Sequence, residues 1–256
     1  MTTIDLNADL GESFGPWPMG ADAQLLDIIT SANIACGYHA GDPDHMRAAM
    51  QRAVETGVGI GAHPGLPDLQ GFGRRRMQVS LAEAGNLTAY QLGAAQAMAR
   101  LAGGQVRHLK LHGALANMAA EDEALARACF EAALKVDPEI ILMVISGTAQ
   151  ARAAQALGAR MAQEIFADRA YTEDGLLMDR RLPGAVIHDP QAVCGRILVM
   201  LRAGAIITAQ GTQLPAQIDT ICLHGDTVGA LDIARALREA LAQAGIEMAP
   251  FEGKRG

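Results

Sequence analysis

Short apolar runs alternate along this sequence with longer amphipathic segments, and this alternation constrains the fold more than any other feature. The predicted strands are Thr3–Ala8, Asn33–Gly37, Gly59–His63, His108–His112, Glu139–Ile145, Ala162–Ala167, Ala205–Ala209 and Asp219–His224. The predicted helices are Ala21–Ser31, Pro43–Glu55, Ser80–Ala102, Glu121–Lys135, Thr148–Leu157, Pro190–Ala203 and Val228–Ala244. Strands that alternate with helices predict a largely parallel sheet covered by helices. A barrel of seven to eight mostly parallel strands fits this count.

Helix-start chemistry supports two of these helices, because residues 42–43 and 189–190 are both Asp-Pro, an N-cap residue before a first-turn proline. The last two predicted strands, 205–209 and 219–224, are separated by a segment short enough for a hairpin. We therefore expect an irregular (β/α) barrel.

The chain has 256 residues, of which half are apolar and 4% are aromatic, so aliphatic side chains must build the core. This length fits one barrel. We expect a single α/β-barrel catalytic domain over residues 1–252 and a loose C-terminal tail over residues 253–256.

Charge and composition exclude several classes of partner. The net charge is −7, and no basic stripe with interleaved aromatic residues is present, so nucleic acid is not an expected partner. The first residues lack the basic and apolar regions of a signal peptide, and the longest apolar run, Ile140–Ile145, is too short to cross a bilayer. The four cysteines have no CxxC spacing. We expect a cytoplasmic protein with reduced thiols and no membrane contact.

Polar residues collect where the predicted strands end, which is where parallel α/β folds carry their sites. Four of the seven histidines lie at these ends. The polar residues at the strand ends are Asn7, Asp9, Glu12, His39, His63, His112, Asp168, His224 and Asp226. A single histidine there is most often structural, but four convergent histidines indicate a site.

Side chains alternate between the two faces of a strand, so the polar set should continue into the barrel. The residues that share inward faces on three strands are Asp5, Asn7 and Asp9; His108, Lys110 and His112; and Thr220, Cys222 and His224. Lys110 beside Asp9 or Asp5 would keep a carboxylate ionised and ready to act as a base. The alternative is a buried ion pair that only fills space.

Other motifs narrow the chemistry. The glycine-rich segment 65–73 is expected to form an ordered loop over the barrel mouth, and Arg74 and Arg75 after it could clamp a carboxylate or phosphate. No GxGxxG, GxxxxGK[ST] or GxSxG motif is present. Cys36 with His39 could be a nucleophile and its base, although a small buried thiol is the commoner use of cysteine.

Several blocks of the sequence together resemble the signature blocks of one family. These are DLNADLGE (5–12), NIACGYHAGDP (33–43), GAHPG (61–65), GFGRR (71–75), KLHGALAN (110–117), EIFADRAY (164–171) with DG (174–175), and ICLHGD (221–226). They are similar to those of the LamB/YcsF family, the A subunits of prokaryotic 5-oxoprolinases. Leu111 and Ala116 stand where that family usually has proline and tyrosine.

The resemblance implies an irregular TIM-like barrel of the glycoside hydrolase/deacetylase type. It also implies ATP-dependent opening of 5-oxo-L-proline to L-glutamate, together with subunits B and C. Since no phosphate loop is visible, we expect ATP to be handled mainly by the partner subunits. A homo-oligomer is compatible with the sequence.

Within this interpretation Asp9 is the first choice for general base and Glu12 the second, while Lys110 tunes the carboxylates. Acid catalysis and oxyanion stabilisation are expected from His39, His63, His112 and His224. The predicted substrate-binding residues are Asn7, Asn33, Asp42, Arg74, Asp174, Arg181 and Asp226, with Arg74 or Arg181 on the substrate carboxylate.

Two other functions remain open. One is a metal-dependent deacetylase or amidohydrolase acting on another small amide or lactam, in which Asp9 with two of His39, His63 and His112 binds a divalent cation; Asp9, His63 and His112 are the first candidates. The other is a non-catalytic subunit that presents substrate to its partners.

Overall fold

Seven parallel strands of this chain close into a barrel. The computed structural model describes residues 3–224 and 229–255. The strands are β1 (Thr3–Leu10), β2 (Ser31–Ala35), β3 (Gly59–His63), β4 (Val106–Lys110), β5 (Ile141–Ile145), β6 (Arg160–Phe166), β7 (Ala205–Ile207), β8 (Gln213–Pro215), β9 (Thr220–His224), β10 (Glu247–Met248) and β11 (Lys254–Arg255). β1 to β6 pair in sequence order, and β9 closes the barrel by pairing with both β6 and β1. The predicted irregular TIM-like barrel is thereby confirmed.

The strand predicted at Ala205–Ala209 does not join the barrel. β7 pairs instead with β8 in an antiparallel hairpin that forms a separate two-stranded sheet. The hairpin partner is therefore β8, and not the strand that ends at His224. Each of the two strands has only three residues, and β8 contains a glutamine and a proline. Strands this short and polar cannot pair on both sides as the strands of a barrel wall do.

The helices cover the outer face of the barrel. They are α1 (Asp22–Leu25), α2 (Pro43–Thr56), α3 (Leu81–Leu101), α4 (Gly113–Glu121), α5 (Glu123–Val136), α6 (Ala149–Ala156), α7 (Pro190–Ala203) and α8 (Ala230–Gln243). Asp42 and Asp189 cap α2 and α7 as expected, and Ser80 with Glu83 forms a capping box at α3. None of the helices in the described ranges is long and apolar enough to span a membrane.

Two helix predictions were wrong. α1 is a single turn rather than the predicted Ala21–Ser31, because β2 already begins at Ser31. α4 was not predicted, since it follows β4 after only two residues and its apolar residues resemble a continuation of the strand. The start of the predicted last helix, Val228, lies outside the described residues.

The outward faces of the strands form the main core against the helices, as at Leu6, Leu109 and Ile221, which are fully buried. The lower end of the barrel interior is filled by a smaller apolar cluster of Ile141, Met143, Ala162 and Phe251. The end of the chain was expected to be loose, but Lys254–Arg255 pairs antiparallel with β6. Phe251 packs under the barrel, and this brings Lys254 and Arg255 within reach of β6.

Candidate active site

The inward faces of the barrel strands carry a hydrogen-bonded polar network. The Asn33 amide donates to Asn7 Oδ1 at 2.7 Å and to Asp9 Oδ1 at 2.9 Å, and Asn7 donates to Thr220 Oγ1 at 2.7 Å. The Asn33 oxygen must accept, so His108 carries its proton on Nε2, 2.8 Å away. Burial lowers the pKa of His108 to about 3, which keeps it neutral. This layer fixes Asp9 from below.

Lys110 lies at the centre of the network, on the inward face of β4. Its Nζ is 2.9 Å from Asp9 Oδ1, 2.8 Å from Glu164 Oε1 and 3.0 Å from Cys222 Sγ. Burial alone would lower the pKa of Lys110, but Asp9, Cys222 and Glu164 outweigh burial and raise it well above its usual value. Burial likewise acts to raise the pKa of Asp9, yet the charges of His63 and Lys110 hold it well below its usual value. The site therefore holds one ammonium group between buried carboxylates.

Asp9, His63 and His112 converge above Lys110 in a way that requires a further positive charge. His63 Nδ1 donates to the Lys110 carbonyl at 2.8 Å, and His112 Nε2 donates to the Phe72 carbonyl at 2.8 Å. A carbonyl only accepts, so the other nitrogen of each ring carries a lone pair unless a second proton charges the ring. Those two nitrogens are 3.0 Å apart, and His63 Nε2 is 3.3 Å from Asp9 Oδ2. Three electron pairs face one another, so the point between them suits a proton or a metal cation.

His39 supports this cluster from the side. Its ring stacks on that of His112 with centroids 3.6 Å apart, and its Nε2 lies 4.0 Å from Glu12 Oε1. Both ring nitrogens of His39 are buried without a hydrogen-bond partner among the described residues, and burial lowers its pKa well below its usual value. A side chain at Gly65 or Gly73 would overlap the His39 side chain, so these glycines leave the room it needs.

These buried groups could hold a metal ion. Ligand atoms of Glu12, His39, His63 and His112 lie within 4.8 Å of one another, and so do those of Asp9, Cys222 and His224. The unpartnered His39 nitrogens and the lone pairs facing each other at Asp9, His63 and His112 are donors of the kind that divalent cations bind. The donor chemistry therefore fits a metal, and it fits an extra proton equally well.

A further histidine of the site, His224 at the end of β9, is oriented by a carboxylate. Its Nδ1 donates to Asp168 at 2.8 Å and 3.0 Å from the two carboxylate oxygens. Burial acts to raise the pKa of Asp168, but the charge and hydrogen bond of His224 keep it below its usual value. An Nδ1–H bond to a carboxylate leaves Nε2 as the basic nitrogen of the neutral ring. The arrangement is that of a base and the group that orients it.

These groups open into a cavity of about 760 Å³ at the C-terminal ends of the strands. Asp9, His63, Lys110, His112 and His224 reach its floor. Its rim comes from the segment after β3 and from the long segment between β6 and α7, and it is rich in arginine. The rim arginines are Arg74, Arg75, Arg76, Arg169, Arg180 and Arg181.

The predicted substrate-binding residues fall into three groups. Arg74 and Arg181 line the cavity, Arg181 as an ion pair with Asp179. Asn7 and Asn33 belong to the layer below Asp9 and do not line the cavity. The other three lie elsewhere: Asp42 caps α2, Asp174 is exposed outside the cavity lining, and Asp226 lies outside the described residues.

Sequence reasoning assigned no catalytic or binding role to Glu164, Cys222, Asp168 or Arg169, although it placed Asp168 at a strand end and Cys222 on an inward face. Glu164 is a single acidic residue on the inward face of a mostly apolar strand, and Cys222 shares the inward face with Thr220 and His224. The alternation rule placed Cys222 inside the barrel and could have found Glu164 as well. The pairing of Asp168 with His224 joins residues 56 positions apart and needed the barrel closure.

Residues 4–256 match the LamB/YcsF family. The chain belongs to that family. The A subunit of a 5-oxoprolinase from Ruegeria pomeroyi is 62% identical over 252 residues, covering 98% of this chain and all of the relative. The corresponding A subunit from Rhodopseudomonas palustris strain BisA53 is 52% identical over 252 residues, covering 98% of this chain and 99% of its own.

A solved structure agrees with these relatives. A lactam utilization protein from Thermus thermophilus is 41% identical to this chain, with a TM-score of 0.91 over 98% of this chain and all of the other. The two relatives carry a lettered subunit name, which implies that they work with further subunits.

Proposed function

We propose that this chain is the ring-opening subunit of an ATP-dependent 5-oxoprolinase, which hydrolyses 5-oxo-L-proline to L-glutamate. The observation that carries the proposal is the buried set of Asp9, His63, Lys110 and His224 on the floor of the cavity. It supplies fixed charges, a polarised proton and an oriented base at one place, which is what hydrolysis of a stable amide requires. The names of the relatives supply the substrate class.

ATP would activate the lactam at its oxygen. The amide oxygen attacks the γ-phosphorus of ATP, ADP leaves, and the ring carbon becomes the centre of a phosphorylated imidate. Water adds to that carbon, the carbon–nitrogen bond breaks as nitrogen gains a proton, and an acyl phosphate remains. A second water releases phosphate, so that one 5-oxoproline, one ATP and two waters give glutamate, ADP and phosphate. We assign the ATP-handling step to subunits B and C.

The geometry refines the roles within this chain. A carboxylate whose pKa is held low is a weak base, so Asp9 is better suited to orient and charge His63 than to take the proton from water. We assign that proton to His224 Nε2, because Asp168 holds the ring with this nitrogen basic. His63 then donates to the leaving nitrogen, while Lys110 keeps Asp9 ionised.

The decisive assay measures glutamate released from 5-oxoproline and ATP by this chain alone and with subunits B and C. Asp9→Asn should abolish release while circular dichroism and melting show a folded protein. Asp232→Asn, on the exposed face of α8, is the matched control and should keep wild-type activity. No glutamate release by the complete mixture refutes the proposal. Full activity of Asp9→Asn and, separately, of variants at the site histidines would favour a non-catalytic protein that presents substrate to its partners.

A metal-dependent hydrolase is the second candidate, favoured by the facing lone pairs of His63 and His112. Asp9, His63 and His112 would hold the cation, with Glu12 and His39 beside it. A bound divalent cation supplies Lewis-acid activation of the carbonyl oxygen or of water. Metal analysis of the purified chain tests this directly. One equivalent of metal in the wild type that is lost in His112→Gln would establish the site, and a metal-free, active chain would exclude it.

A further inference from the structure

The cavity above the site is strongly positive although the protein as a whole is acidic. Seven lysine and arginine side chains line it, against three aspartate and glutamate side chains, in a chain whose net charge is −7. Carboxylates in or near the lining pair with several of these arginines, as in Arg75–Asp68, Arg76–Glu121 and Arg181–Asp179. Charges concentrated in this way, against the overall balance, indicate a site for an anion.

Arg169 is the most informative member of the rim. It is 4% exposed, and it follows Asp168 directly at the end of β6. Its Nη2 donates to the Met178 carbonyl, while its Nε is buried with no acceptor among the described residues. A buried guanidinium that leaves a donor unused is costly unless a ligand completes it.

Neighbouring charges make that cost larger. Burial, and after it the positive charge of Arg180, lowers the pKa of Arg169 to about 10; Asp168 acts against this shift and Arg74 acts with it. Arg169 is still charged at neutral pH, so like charges are packed around one cavity. The Arg74 guanidinium lies over the Phe72 ring, 4.7 Å from its centroid, and that ring packs edge-on against His39 and His112, which places Arg74 close to the floor of the site.

The backbone holds Arg169 in place rather than leaving it on a free loop. Arg169 forms a bridge with Val186, the Ile187 amide donates to the Asp168 carbonyl at 2.8 Å, and the Met178 amide donates to the Ala170 carbonyl at 3.0 Å. The guanidinium is therefore positioned before any ligand arrives, which reduces the entropy lost on binding.

We propose that Arg169 and Arg180, with Arg74 across the mouth, form a phosphate subsite that binds the phosphoryl group of the activated lactam beside the Asp168–His224 pair. This assignment of the ligand rests on the proposed function. A doubly charged phosphoryl group matches several arginines better than the single carboxylate of 5-oxoproline does, and arginine binds phosphate oxygens in a forked geometry. The subsite would hold the reacting carbon next to His224.

The test measures binding of inorganic phosphate to this chain alone by calorimetry at low ionic strength. Arg169→Gln should raise the Kd for phosphate at least tenfold, and Arg180→Gln at least threefold. Arg76→Gln, an exposed arginine of the same cavity paired with Glu121, is the matched control and should stay within twofold of the wild type. Melting curves show whether each variant is folded. If Arg169→Gln does not fold, the Kd of Arg180→Gln for phosphate tests the proposal.

No phosphate binding by the wild type, or equal binding by Arg169→Gln, would overturn the proposal. So would Arg169-dependent binding of 5-oxoproline without binding of phosphate, because this would make the subsite a carboxylate clamp. The phosphate measurement needs neither ATP nor partner subunits. A complete mixture that releases no glutamate while phosphate binding still depends on Arg169 would refute the proposed function and leave the anion subsite standing.

Discussion

Replacing Lys110 with methionine removes the ammonium group that lies 2.9 Å from Asp9 and 2.8 Å from Glu164. The side chains of Lys110, Asp9 and Glu164 are 6%, 7% and 1% exposed. Methionine is unbranched and of similar length, so the change leaves the carboxylates unpaired without opening a large cavity. Removing one partner of a buried ion pair costs about 3–5 kcal/mol, and we expect the free energy of unfolding to fall by about 4 kcal/mol at pH 8.

The loss should depend on pH in a definite direction. In the wild type the pKa of Asp9 is below its unfolded value, so Asp9 contributes stability above pH ~4 and loses it as the pH falls. In the variant, burial without Lys110 raises the pKa of Asp9 in the folded state. In the variant, Asp9 therefore adds nothing to the free energy of unfolding below pH ~4. As the pH rises it lowers that free energy, by about 1.4 kcal/mol per pH unit for one proton. The difference between the two proteins should therefore be smaller at pH 5 than at pH 8.

Urea unfolding of both proteins at pH 5 and pH 8 measures these differences, with the slope m checked for constancy. Arg127→Met removes an exposed ion pair with Glu131 on α5 and serves as the control, with an expected loss below about 0.5 kcal/mol at either pH. An equal loss for Lys110→Met at both pH values, or a loss below about 1 kcal/mol at pH 8, would show that the buried charges are not coupled as described.

Two further predictions concern the base and the barrel interior. Asp168→Asn should lower glutamate release by the complete complex about 10²–10⁴-fold at saturating substrate, because His224 loses the carboxylate that orients it; an unchanged rate would remove His224 from the role of base. Gly61→Ala should destabilise the protein by about 1–3 kcal/mol in urea unfolding, because a methyl group there would overlap the His108 ring. Gly93→Ala on α3 is the control: its methyl group would meet no atom, and the change should stabilise the protein by up to about 1 kcal/mol. The same sign for both glycine variants would contradict the packing described.

The alternation of side chains made much of the site predictable. Asp9, Lys110 and His224 were placed inside the barrel because a two-residue period assigns a whole strand to its two faces once one polar residue is known to point inward. The same rule extends to Glu164, which was passed over because its neighbours on the same face of the strand, Ala162 and Phe166, are apolar. The face of the strand on which a side chain lies can therefore be predicted from the local sequence pattern.

What the sequence did not reveal depends on contacts between distant segments. The tautomers of His63 and His112 are fixed by carbonyls of Lys110 and Phe72, which lie 47 and 40 positions away along the chain. Asp42 reads equally well as a ligand residue or as a helix cap, and its hydrogen bonds to the backbone amides of Asp44 and His45 decide for the cap. The tail is polar in sequence, and the packing of Phe251 under the barrel cannot be seen in a local pattern.

The closure of the barrel by β9 has a consequence for how the protein is made. Asp9 on the first strand is in register with His224 on the last, and the Asn7–Thr220 hydrogen bond spans 213 residues. During synthesis, therefore, the acidic residues of β1 leave the ribosome long before the strand that completes their surroundings. Shorter nascent chains cannot build the site or bury its charges at a favourable free energy. The candidate active site should appear in one late step, when nearly the whole chain is present, and contacts this far apart predict slow folding.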